Sequence, residues 1–179
     1  MNGDAGFTNE RVQSKIKETL DWIYQCQVDA ILITCTFFTA NLQQEDIRSY
    51  AVPIIKIDEP LFLNVCELNQ PFIMVFTNPN TVEGTMGQLH QLAASRGKVI
   101  QAESALLEHT FDLIMQGNKK AYMEAVTAGL QQMKREHPEK QVYAAQLSMV
   151  PAAESVGVGS QLQSLAAYMQ DKLSLVKVL

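Results

Sequence analysis

A cysteine placed where a buried strand opens into a polar segment can serve as a nucleophile or as an acid–base group, and Cys35 holds such a position. It closes the apolar run 29–35 and precedes Thr36-Phe37-Phe38-Thr39-Ala40-Asn41, which reads as a loop whose hydroxyls and amide would stand beside the thiol. An ordinary thiol titrates near roughly 8.5, and nearby dipoles of this kind lower that value toward thiolate at neutral pH. The competing reading is a core cysteine, because cysteine is among the most buried residue types. Cys26, on a helix, and Cys66, inside an apolar helical face, read as core.

Other residues that could do chemistry carry weaker patterns. The three cysteines are well separated, so neither a disulfide framework nor a C-x-x-C pair is expected. His90, His109 and His137 lack the spacing that puts two ligands on one helix face, so no metal is expected. Gly157-Val-Gly-Ser160 lacks the lysine of a phosphate loop and the third glycine of a dinucleotide fingerprint, and reads as helix capping with no cofactor implied. Asp58-Glu59 could be paired carboxylates, but an acidic pair entering a helix is more often a partner of the helix dipole. Lys119-Lys120 and Lys134-Arg135 read as solvated helix faces.

The elements that must position these groups alternate. A helix capped by Thr8 carries Val12, Ile16, Leu20 and Ile23 at helical spacing up to about Cys26. Strands are expected over 29–35, 52–57, 71–77, 98–102 and 141–146. Helices are expected over 43–50, 60–68, from Asn80 or Thr81 to Arg96, then over 103–115, 119–136 and 161–176. The Met and Leu positions from Leu106 to Met133 read as core. This alternation calls for an α/β fold with a parallel sheet, whose ligands bind at the carboxyl ends of the strands, where Cys35, Thr77 and Gln146 fall.

Composition bounds what such a domain does. The chain has 179 residues, 47% apolar and 18% charged, enough for a packed core. A net charge of −5 offers no broad basic surface, so neither nucleic acid nor an anionic membrane is an expected partner. The apolar runs are too short to span a bilayer, and no signal segment opens the chain, which points to a cytoplasmic protein.

Four segments, in order and each at a strand end, carry a resemblance. Val28-Asp-Ala-Ile-Leu-Ile-Thr-Cys-Thr36, Pro53-Ile-Ile-Lys-Ile-Asp-Glu-Pro60, Thr77-x-x-x-Thr81 and Ala144-Ala-Gln-Leu-Ser-Met149 together resemble the aspartate/glutamate/hydantoin racemase superfamily. The resemblance implies two similar parallel-sheet lobes with flanking helices and an active site in the cleft between them. The first lobe would comprise 1–70 with the C-terminal helix 160–179, and the second 71–159. It implies cofactor-independent chemistry in which one thiolate removes a Cα proton and a second thiol delivers another, on a small amino acid or related carboxylate.

Cys35 matches the first of those cysteines. The second falls where this chain has Gln146, and an amide is neither a general acid nor a general base. Thr36, Thr77 and Thr81 match positions that hold a substrate carboxylate; Asn41, Gln146 and Ser148 are further candidates, with helix capping as the alternative for Thr81 and Ser148. Phe37 stands where relatives offer a small polar residue. Relatives also begin with a strand before the first helix seen here, so the first lobe reads as incomplete, with an unpaired edge that a homo-oligomer would cover. The resemblance thus implies an isomerase of the racemase/epimerase type. The alternatives are a catalytically impaired member that binds a small carboxylate or serves as a structural subunit, or a one-cysteine decarboxylase or isomerase.

Overall fold

Short runs rich in Ile, Val and Phe pair in parallel wherever helical segments return the chain to the same end of a sheet. The computed structural model describes residues 9–42 and 44–176. Helix α1 (Asn9–Gln25) leads into β1 (Ile31–Ile33), which pairs with β2 (Ile54–Lys56), Leu32 lying opposite Ile55. Between them stand the short helices α2 (Thr36–Asn41) and α3 (Gln44–Arg48). Ile16 and Leu20 of α1 pack on Ile31 and Ile33, so the apolar stripe of the helix covers one face of this small sheet. The proposed cap at Thr8 and the start of the helix expected from Gln43 lie outside the described residues.

The second sheet has the order β4-β3-β5-β6, all parallel. Helix α4 (Glu59–Val65) connects to β3 (Phe72–Phe76), every residue of which is buried, as a strand covered on both faces requires. Helix α5 (Pro79–Ser95) leads to β4 (Ala102–Leu106); α6 (Thr110–Met115) and α7 (Lys119–Glu136) lead to β5 (Gln141–Ala144). A 3-10 turn (Leu147–Met149), α8 (Val150–Val156), β6 (Gly159–Ser160) and α9 (Leu165–Val176) complete the described chain.

Helices α4 and α5 cover one face of the second sheet. Leu61, Phe62, Val65 and Cys66 from α4 and its end pack with Phe72, Met74 and Phe76 of β3 and Leu89 of α5. Full burial of such side chains is worth about 1.5–3 kcal/mol each. On the other face of β3, Ile73 and Val75 meet Tyr122, Val126 and Leu130 of α7.

Several local expectations are corrected. Thr36–Asn41 is a helix, closed by Thr39 N–H donating to Cys35 O, where a loop is expected. Strand β1 ends at Ile33, so Cys35 is the N-cap residue of α2. The fourth strand lies at 102–106, not 98–102, because Phe72 through Phe76 pair there in register and override the helical propensity of the Glu103-Ser-Ala-Leu stretch. Helix α5 is capped by Asn78, whose side chain accepts from Asn80 N–H at 3.0 Å, with Pro79 in the first turn; neither Asn80 nor Thr81 is the cap. Cys26 is exposed, its thiol on Trp22 O at 3.4 Å, because it lies beyond the last turn of α1. Met115, 70% exposed at the end of α6, and Leu106, exposed at the end of the edge strand β4, both lie outside the expected core.

The Gly157-Val-Gly-Ser160 stretch does two structural jobs. Gly157 terminates α8 at φ 69°, a left-handed conformation that favours glycine, and Lys134 Nζ donates to Val156 O and Gly157 O. Gly159 lies directly under the Tyr143 ring, where a Cβ would overlap Cδ1 and Cε1. Gly159→Ala is therefore expected to cost about 1–3 kcal/mol, as overpacking does, read as a lower urea midpoint with unchanged slope.

Candidate functional site

The carboxyl ends of β3 and β5 converge on one side chain, Gln146. Buried at the end of β5, its Oε1 accepts from Thr77 N–H at 2.6 Å, Thr77 Oγ1 at 2.8 Å and Asn78 N–H at 3.1 Å. Its Nε2 donates to Thr81 Oγ1 at 3.3 Å, which donates in turn to Asn78 O at 2.9 Å. On the other side, Thr77 Oγ1 lies 3.3 Å from Tyr122 Oη, itself 2.7 Å from Ser148 Oγ. Since Thr77 gives its only hydroxyl proton to Gln146, Tyr122 donates to Thr77 and Ser148 donates to Tyr122. The result is a directed chain, Ser148 to Tyr122 to Thr77 to Gln146 to Thr81.

Thr77, Thr81, Gln146 and Ser148 are thus brought together, and Tyr122 joins them. Three donors meeting on one oxygen is the arrangement that a carboxylate oxygen would find at this loop. Here the carboxamide of the chain itself occupies it. Ser148 caps no helix, and Thr81 serves the loop through Asn78 O. Asn78, whose N–H is a donor in this cluster, and Tyr122 have no signal in the strand-end pattern; the one hint to Tyr122 is a hydroxyl-bearing ring on the buried stripe of α7, which needs a partner.

The other three candidates share α2. Cys35 is exposed at the N-cap, with no side-chain capping bond and no disulfide. Thr36 is buried, its carbonyl 3.0 Å from Thr39 Oγ1, while Asn41 Nδ2 donates to Phe37 O at 2.8 Å. Asn41 is therefore committed to its own helix. Among the described residues no hydrogen bond joins Cys35, Thr36 or Asn41 to the Gln146 cluster. The link is packing: Gly84 of α5 lies against Ala40 of α2, where an added Cβ would come to 2.7 Å of Ala40 Cβ. Helix α2 thereby rests on the helix that carries Thr81.

A second buried cluster was not expected. Asp58, 2% exposed, accepts from Thr39 Oγ1 at 2.5 Å and from Gln161 Nε2, which also donates to Ala145 O at 3.0 Å. One carboxylate thus ties α2, the end of β2, the end of β5 and the segment after β6. Burial pushes its pKa up to about 6, against the opposing pull of the Thr39 and Gln161 bonds and of Lys56. Asp58 lies at the start of α4 as the dipole reading has it, but its carboxylate turns inward.

Among the described residues, no group of three His, Cys, Asp or Glu could hold a metal ion, and no helix is long and apolar enough to cross a membrane. No family model and no curated protein matches the sequence. Solved structures do match in shape. Glutamate racemase RacE1 from Bacillus anthracis superposes with a TM-score of 0.65 at 16% identity, over 96% of this chain and 69% of that one. The chain has the racemase-superfamily fold. Glutamate racemase from Francisella tularensis, solved with D-glutamate, gives 0.63 at 15% identity, over 97% of this chain and 69% of that one. Allantoin racemase from Pseudomonas fluorescens gives 0.58 at 15%, over 98% and 75%. The racemase-fold expectation of parallel sheets with flanking helices thus stands.

Proposed function

We propose that this chain performs one-sided acid–base chemistry at the α-carbon of a small amino acid or related carboxylate, with Cys35 as its thiol base and no opposing acid. The observation that carries the reading is Gln146: the side chain at the end of β5 can neither give nor take a proton, and its oxygen fills the donors of the Thr77–Asn78 loop. The D-glutamate bound by the Francisella racemase supports the choice of substrate class.

The first lobe supplies the reacting group. Cys35 is exposed at the N-cap of α2, so its thiolate can approach a Cα–H and take the proton, leaving a carbanion conjugated with the neighbouring carboxylate. Return of a proton from Cys35, exchanged with water in between, restores the original configuration. Inversion needs a donor on the opposite face, and Gln146 is none. The second lobe supplies the anion site: for a substrate carboxylate to reach Thr77 N–H and Asn78 N–H, the Gln146 carboxamide leaves them, so it competes with substrate for the same donors. Thr36 and Thr81 bear the remaining hydroxyls at the cleft.

Proton NMR in D₂O tests the assignment of the base. Loss of the Cα–H signal of aspartate, glutamate or a small hydantoin is expected with the wild type and is expected to fall by at least about 100-fold in Cys35→Ala, the scale of a lost general base. Turnover unchanged in that variant removes Cys35 from the chemistry. The second reading, a non-catalytic carboxylate binder, is favoured by the completeness of the Gln146 hydrogen bonds, and it predicts no exchange with any of these compounds together with a ligand-dependent rise in melting temperature.

A further inference from the structure

A cavity of about 470 Å³ lies elsewhere, between α3, the edge of β2, the start of α4, the carboxyl half of α5 and α9. Its residues are distinct from the Gln146 cluster. Lys56 points into it from β2, with Nζ donating to Gln88 Oε1 at 3.3 Å, and Gln88 Nε2 is buried without an acceptor. Arg48 and Lys172 add two further cations to the lining, against the carboxylates Asp58 and Glu59. Asp58 already accepts from Thr39 and Gln161. Ile47, Ile54, Phe62 and Leu92 form the apolar wall.

Each part of this lining asks for the same ligand. An ammonium and an amide N–H₂ side by side are donors only, and the amide nitrogen leaves its hydrogen-bonding capacity unmet in a buried position, which costs about 1–3 kcal/mol until an acceptor arrives. The three cations outnumber the two acids at neutral pH, so the acceptor that fits is an anion. The four apolar side chains stand beside those donors, and a volume within the roughly 300–1,000 Å³ of ligand pockets leaves room for an organic body. Burial also lowers the pKa of Lys56 while Glu59 and Asp58 hold it up, the condition of an ammonium that lacks water and gains from a further anionic neighbour.

We propose that this cavity is a second ligand site that takes a small organic oxyanion with an apolar body, the oxyanion accepting from Lys56 Nζ and Gln88 Nε2 and the body lying on Ile54 and Phe62. A carboxylate and a phosphate monoester offer the same acceptor, and the test separates them. Phenylacetate, phenyl phosphate and, as the uncharged control, benzyl alcohol are titrated at millimolar concentration against the full chain, with saturation-transfer NMR and melting temperature as readouts. One of the two anions is expected to bind, with ring-proton contacts to Ile54 and Phe62 and a rise in melting temperature, and the better binder identifies the source. Affinity is expected to drop at least about tenfold in Lys56→Met and in Gln88→Leu, the scale of a lost charge-assisted hydrogen bond. Arg48→Gln, at an exposed position, gives a smaller loss and remains available if Lys56→Met fails to fold. The proposal is overturned if neither anion binds the wild type, if benzyl alcohol binds as tightly, or if affinity is unchanged in the folded variants.

Discussion

Gln146→Ala is expected to melt well below the wild type and to recover much of the loss in acetate. Removing the carboxamide leaves Thr77 N–H, Asn78 N–H and the Thr77 hydroxyl without their shared acceptor in a buried site, and Thr81 Oγ1 without its donor. An unsatisfied buried polar group costs about 1–3 kcal/mol, and because these donors share one oxygen and some reach water through the new cavity, a total of about 3 kcal/mol is expected. That is a large fraction of the stability of a domain this size. Acetate presents a carboxylate of the size of the deleted group, so it refills the three donors and stabilises the folded state in proportion to its occupancy. Chloride at equal ionic strength is the control. Recovery specific to acetate, measured by thermal or urea unfolding, identifies the loop as an anion site held shut by its own chain; equal behaviour in both salts refutes that.

The second large effect is a pH dependence carried by Asp58. Its folded pKa of about 6 lies above the ordinary 3.8, so the folded chain holds this proton more tightly than the unfolded chain does. Stability from this group is therefore fully present below pH 3.8 and is lost as pH rises through about 6. The difference corresponds to about 3 kcal/mol across that window. The proton has a place to go. Thr39 Oγ1 lies within reach of both Asp58 Oδ2 and Thr36 O but has one proton to give; a protonated Asp58 donates to Thr39, freeing that proton for Thr36 O. Asp58→Asn reproduces the protonated form, with Nδ2 in place of the O–H. It is expected to flatten the fall in stability between pH 4 and 7 and to exceed the wild type at pH 7.5, both read from urea midpoints. Glu67 and Glu18, held low by Lys98 and Lys15, work in the opposite direction, but these pairs are solvent-exposed and contribute little.

These two clusters mark where the sequence is legible and where it is not. Strand-end positions locate Thr77, Thr81, Gln146 and Ser148, because a parallel α/β sheet gathers the residues after its strands at one end, however far apart they are in sequence. Tyr122 comes to the same point from the first turn of α7, on a helix that strand-end logic does not cover. The inward turn of Asp58 depends on Gln161, 103 residues away, and on Thr39, whose stretch reads as a loop because six residues are too few to show a helical period. The displaced fourth strand has a similar cause: Glu103, Ser104 and Leu106 are exposed on an edge strand, so no alternating or continuous apolar pattern announces it, and pairing with β3 decides. The cavity at Lys56 likewise arises from five elements, α3, β2, α4, α5 and α9, that meet only in the folded chain.

The proposed chemistry needs a base on one face of the substrate and no acid on the other. The most direct test follows one sample of a single enantiomer of aspartate or glutamate in D₂O, recording loss of the Cα–H signal and loss of optical rotation together. Deuterium incorporation that depends on Cys35 while rotation is retained is the predicted result. Rotation lost in step with the Cα–H signal contradicts it, because inversion at the rate of exchange requires a second proton donor where Gln146 stands.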